Sequence, residues 1–215
     1  TTVARATISA QAMDPAGERS AEFAIAASDA LAGAARIADL TVTGAVAGDA
    51  IDFTLAAEGA LEDTPWRATA SGDAAYADAG ASGRIASLDA VWDETPITLR
   101  RGGAFAVGAD GLVVDPLEIA LGDGQIAVQA RLDGDTVDGL VEATGLPLAL
   151  AAPVAGMPLG GSLDGRIALT GAADAPRLSV DLNARDVTGL QGTGRLGPIS
   201  AQLRATLADG MFDAR

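Results

Sequence analysis

The chain contains no cysteine, no histidine and, although it carries 14 basic residues, no lysine. The missing cysteines exclude a disulfide framework and a thiolate metal site within these residues. The missing histidines remove the base from Ser-His-Asp and Cys-His catalysis and the imidazole from metal coordination. Aromatic residues are scarce: four Phe, two Trp and one Tyr make up 3% of the chain, against a hydrophobic share of 49%. A compact globule fills its centre with such rings, so apolar surface made of small and aliphatic groups points to an extended, repetitive architecture. Positive charge is also short. With 29 acidic residues the net charge is −15, a balance that repels a polyanion and excludes nucleic acid as the expected partner. No apolar run reaches the ~18 residues of a membrane-spanning helix, and no basic segment leads into an apolar one as in a signal peptide.

What is present is alternation. In the stretch 161–187, GSLDGRIALTGAADAPRLSVDLNARDV, Leu163, Ile167 and Leu169 share one parity and Leu178, Val180 and Leu182 another, with a Gly-to-Pro turn between them. Asp164, Arg166, Thr170, Arg177, Ser179, Asp181 and Asn183 take the opposite face, so the stretch reads as a hairpin with one apolar and one wet side. The same period-two pattern runs through Ile51, Phe53 and Leu55; through Ile97 and Leu99; through Phe105 and Val107; and through Leu117, Ile119 and Leu121. It continues in Ile126, Val128, Ala130 and Leu132 and ends in Ile199, Ala201, Leu203, Ala205 and Leu207. Turn chemistry separates these runs at Gly48-Asp49, Gly102-Gly103, Asp110-Gly111, Gly122-Asp123-Gly124, Asp133-Gly134-Asp135 and Asp209-Gly210. Gly and Asp adopt the left-handed conformations of tight reversals, and connections this short favour antiparallel pairing over parallel crossovers. The expected fold class is all-β, an elongated, mostly antiparallel sheet.

Two segments are less regular. Phe23, Ile25, Leu31, Ile37 and Leu40 fit neither period well, and the segment 21–40 reads as strands with a loop near Gly33. The segment PLALAAPV, 147–154, reads as one or two short helical turns closed by Pro153. The start, TTVARATISAQ, already alternates through Ala6, Ile8 and Ala10, as a cut through a longer sheet does. One continuous repetitive segment over 1–215, part of a longer protein, is therefore expected.

Paired carboxylates are the one enzymatic arrangement left. Asp93-Glu94 and Glu62-Asp63 qualify in name, but each lies one or two residues before a proline and reads as a turn. The Asp123-Gly124 and Asp133-Gly134-Asp135 turns resemble acidic calcium turns without the nonapeptide repeat that such sites use. No enzymatic activity, cofactor or metal is expected. Arg100-Arg101 either meets anionic head groups or balances an acidic surface.

Five stretches, taken in order, carry a resemblance to the TamB family of AsmA-like envelope proteins. They are DAIDFTLAAEGAL with Trp66 in EDTPWRATASG; SGRIASL with PITLRRGG; LVVDPLEIALGDGQIAVQARL; GLPLALAAPV; and the hairpin at 161–187, whose G-x-L-x-G-x-I-x-L-x-G opening is the most specific. The chain departs from the family where a Trp often precedes a Gly: here the residues are Ala81-Ser82-Gly83, with Trp92 further on. The resemblance implies a sheet curved lengthwise into a U-shaped trough with an apolar interior, crossing the periplasm in a protein anchored to the inner membrane outside this chain. It implies transport of phospholipid, whose acyl chains would be the partner, toward the outer membrane. It also implies support of outer-membrane protein assembly, and contact with the barrel TamA or a related barrel through regions outside this chain. On that reading the groove is lined by Ile51, Phe53, Leu55, Leu117, Ile119, Leu121, Ile126, Val128, Leu132, Leu163, Ile167, Leu169, Leu178, Val180, Leu182, Ile199, Leu203 and Leu207. The competing expectation is a β-sandwich or solenoid, a scaffold or adhesin that binds protein clients through sheet edges.

Overall fold

The computed structural model describes residues 5–13, 20–32, 35–61, 64–77, 80–109, 111–151, 159–191, 194–195, 199–208 and 211–214. They belong to two compact units, Thr1–Ala109 and Asp110–Arg215. In the first, β1 (Arg5–Met13), β2 (Ser20–Ala32), β3 (Ala35–Ala47), β4 (Ala50–Leu61), β5 (Thr64–Ala77) and β6 (Gly80–Trp92) each pair antiparallel with the next. Both β7 (Thr95–Arg101) and β8 (Ala104–Gly108) then pair with β6. In the second unit β9 (Gly111–Leu121), β10 (Gly124–Asp133), β11 (Thr136–Pro147), β12 (Leu159–Ala172) and β13 (Ala175–Gln191) form an antiparallel meander. A two-residue β14 (Gly194–Arg195) pairs with the end of β13, while β15 (Ile199–Ala208) takes its middle and β16 (Met211–Ala214) pairs with β15. The fold is all-β and antiparallel, with a single short 3-10 turn among the described residues, Leu148–Ala151, at the place where the sequence suggests one; Pro153 lies outside the described residues.

The reversals follow from local chemistry. Gly48, Gly122 and Gly134 each take the first position of a two-residue turn with φ of 61, 56 and 53°, the backbone that matches the twist of flanking strands and that glycine enters freely. Asp93 takes the same position with φ 46°, so the Asp93-Glu94 pair is a turn, as read from the sequence. Glu62-Asp63, Asp110 and Asp209-Gly210 lie outside the described residues. In the hairpin at 161–187 the turn proper is Ala173-Asp174, with Gly171 and Pro176 inside β12 and β13.

One expected reversal is absent. Gly102-Gly103 does not turn the chain back: β7 meets β6 at Asp89 to Trp92 and β8 meets it at Gly80 to Arg84, so the chain runs straight on through a kink. A side chain at Gly102 would collide with the Ile85 carbonyl. The glycines allow close backbone approach rather than reversal.

Bulges explain the irregular spacing in the segment 21–40. It forms β2 and β3, as expected, but the register shifts between Ile37 and Asp39, and Asp29 sits at φ 54°. Within β3 the half-buried apolar residues are odd-numbered at Ile37 and even-numbered at Leu40 and Val42, because the extra residue Ala38 shifts the parity of every side chain that follows it.

No second layer covers the strands among the described residues. Exposed and half-buried positions alternate along β4, and the buried hydrophobic residues are Ala120 and Ala205 alone, at 5% and 8% exposure. No large side chain is fully enclosed. Stability therefore comes from backbone ladders and cross-strand side-chain pairs, each contributing roughly 0.2–1 kcal/mol.

Candidate functional site

The register converts alternation into continuous apolar rows. In the first unit Ile8, Ile25, Val42, Leu55, Ala70 and Leu88 stand each directly opposite the next across β1 to β6. In the second, Leu117, Val128, Val141, Ile167, Val180 and Ala205 do the same from β9 to β15. Neighbouring rows lie two residues away along each strand, so each unit presents one broad apolar face.

Every residue read from the sequence as lining a groove lies on these faces. Ile51, Phe53 and Leu55 share the half-buried side of β4. Leu117, Ile119 and Leu121 face the same way as Val128, Ile126 and Gly124 opposite them, and Leu132 pairs with Leu112 and Val137. Leu163 stands between Leu146 and Ala184, Leu169 between Gly139 and Leu178, and Leu182 between Gly165 and Leu203. Ile167 is 37% exposed, Ile199 48%, Leu203 45% and Leu207 37%, so this end of the face lies open to solvent.

Sequence reasoning missed several members: Val42, Leu88 and Val141 sit in the central rows, and Ile8 and Ile25 open one of them. Their signal was parity, blurred by the bulges and by Ala on both faces. It also missed an arrangement that no local pattern reveals. Four of the six rings of the first unit lie across glycines of the neighbouring strand. Phe23 faces Gly44, Phe53 faces Gly72, Phe105 faces Gly83, and Trp66 faces Gly59. A Cβ on Gly44 would stand 2.5 Å from Phe23 Cζ, on Gly83 2.7 Å from Phe105 Cζ, and on Gly72 2.9 Å from Phe53 Cζ. Each ring therefore fills the place of the absent side chain and leans along the sheet, an aromatic cover for a strand glycine. Trp92, opposite Trp66, extends that row.

The reverse faces are polar. In the second unit Glu142, Arg166, Asp181 and Arg204 stand in register on four successive strands. Arg166 Nη1 donates to Glu142 Oε1 at 3.0 Å and Arg204 Nε to Asp181 Oδ2 at 3.1 Å. Asp164 accepts from the Gly145 backbone N–H at 2.9 Å and pairs with Arg185, bracing the bulge between Ala143 and Leu146. In the first unit the Ser71 and Ser87 hydroxyls share a hydrogen bond of 2.6 Å. A shallow depression of about 1010 Å³ there is lined largely by polar-face residues, among them Glu22, Asp52 and Asp73. The apolar face is thus a wall rather than a pocket. Among the described residues no group of three or more acidic side chains is arranged to hold a metal ion. Asp123 and Asp135 occupy two-residue turns.

Comparison with known proteins finds no matching family model, no matching curated protein and no matching solved structure.

Proposed function

We propose that the apolar faces shield lipid acyl chains from water. On this reading the chain is one stretch of a TamB-like periplasmic protein that passes phospholipid between the inner and outer membranes and supports outer-membrane protein assembly. The observation that carries the reading is the pair of unbroken six-residue apolar rows, uncovered by any second layer among the described residues.

The energetics favour such a wall. Bringing a sixteen-carbon acyl chain into water costs about 12 kcal/mol at ~0.8 kcal/mol per methylene, which blocks unaided passage across an aqueous gap. With strands ~4.8 Å apart, a row crossing six strands runs about 24 Å, longer than the ~15 Å of one leaflet's hydrocarbon core. Aliphatic walls without polar hooks let a chain slide, while the polar reverse face and the net charge of −15 keep a single-layer sheet in solution. Catalysis has no part in this reading, and contact with an outer-membrane barrel belongs to regions outside the chain.

Photo-crosslinking tests it by face. Benzoylphenylalanine at Val42 or Val141 should capture phospholipid in cells making the protein, whereas the same probe at Thr43 or Glu142 should not. Equal labelling of both faces would contradict the proposal.

A further inference from the structure

We propose that a hollow on the polar side of the first unit binds a zwitterion that joins a phosphodiester to an ammonium group, as an ethanolamine ester does. The hollow, of about 720 Å³, lies where β3 and β5 begin and β4 and β6 end. Its floor is small and uncharged: Ala60 of β4 stands directly opposite Pro65 of β5. Charges of alternating sign surround it on four successive strands, Arg36 on β3, Glu58 on β4, Arg67 on β5 and Asp93 just past the end of β6. The Asp93 backbone N–H donates to the Pro65 carbonyl at 2.9 Å, which holds this acidic turn beside the floor.

The chemistry of the occupant follows from charges that are left open. Glu58 and Arg67 stand directly opposite each other, as Glu142 and Arg166 do in the second unit. There the guanidinium closes on the carboxylate at 3.0 Å, whereas neither Glu58 nor Arg67 takes part in a hydrogen bond or ion pair among the described residues. Arg36 keeps donors to spare beyond its bond to Asp29 at 2.8 Å. A ligand of one sign would leave half of these charges unmatched, and a zwitterion matches both. With neighbouring strands ~4.8 Å apart, the short spacer of an aminoalcohol ester reaches from Arg67 to Glu58. Two guanidinium forks favour phosphate over carboxylate, because phosphate presents oxygens in more directions. Such a group arrives either as a phospholipid head group or as a soluble ester. The hollow lies on the polar side, so its occupancy does not depend on what lies along the apolar face.

Isothermal titration of the intact chain with glycerophosphoethanolamine tests the site. Saturable binding is expected, weakened at least tenfold by Arg67→Gln, by Glu58→Gln and by Ala60→Phe, which fills the hollow without removing a charge. Inorganic phosphate, ethanolamine and γ-aminobutyrate should each bind at least tenfold more weakly. Val42→Asp on the apolar face and Arg166→Gln in the closed pair should leave binding unchanged, so the site and the acyl-chain reading fail separately. Sedimentation with vesicles decides the source: binding to mixed phosphatidylethanolamine and phosphatidylglycerol but not to phosphatidylglycerol alone, lost on Arg67→Gln, identifies a lipid head group, and binding of the soluble ester alone identifies the free ester. No binding in either form, equal binding of phosphate or γ-aminobutyrate, or unchanged affinity in Arg67→Gln and Glu58→Gln would overturn the proposal.

Discussion

The two units build the same kind of apolar face from different side chains. Beside the central row of the first unit runs Ala10, Phe23, Gly44, Phe53, Gly72 and Ile85, in which a ring covers each glycine. The matching row of the second unit is Val114, Ala130, Gly139, Leu169, Leu178 and Leu207, with no ring among its members. A wall of even height can be made by laying a large side chain over an empty position or by setting medium ones side by side. The first solution locks the glycines of its row, and the second leaves Gly139 free. At Gly44 an added Cβ meets the Phe23 ring at 2.5 Å and the Asp52 carbonyl at 2.6 Å, whereas at Gly139 the nearest atom is Leu169 Cβ at 3.7 Å.

The sharpest way to break this comparison is Gly44→Ala. The new methyl forces out both ring and backbone, and a loss of about 1–3 kcal/mol is expected in urea unfolding; an unchanged midpoint would mean the ring does not hold that position. Phe53→Ala uncovers Gly72 and should cost about 2 kcal/mol, less than a fully buried Phe because the side chain is half-buried. Gly139→Ala in the second unit should act with the opposite sign, stabilising by ~0.4–1 kcal/mol through a stiffer unfolded chain. The smallest effect belongs to Arg166→Ala. Its ion pair with Glu142 joins side chains that are 61% and 48% exposed, so the change should stay within ~0.5 kcal/mol and shrink further in high salt.

Much of this fold is legible in the sequence because period two survives wherever strands are regular. Leu117 to Leu121 and Leu178 to Leu182 declare their faces at once. The readings that failed have local causes. Gly102-Gly103 has the composition of a turn, and only its partner β6 shows that the chain continues. In the segment 21–40 the bulges at Asp29 and Ala38 exchange the parities, so a correct strand pattern looks like none. Phe53 and Gly72 are nineteen positions apart and meet only through register. Rings therefore look merely rare in the composition, although Phe23, Phe53, Trp66 and Phe105 stand where glycines leave gaps. Val141 went unnamed because Leu140, in the opposite phase, hides the alternation of Val137, Gly139, Val141 and Ala143.

The central claim, that lipid occupies the apolar faces, is tested most directly by native mass spectrometry of the chain purified without detergent, alongside Val42→Asp and Val141→Asp. The account predicts phospholipid bound to the unsubstituted chain and lost from the variants while their β-sheet circular dichroism persists, since a half-exposed wall tolerates a charge that a packed core does not. A lipid-free chain with the same spectrum would contradict it.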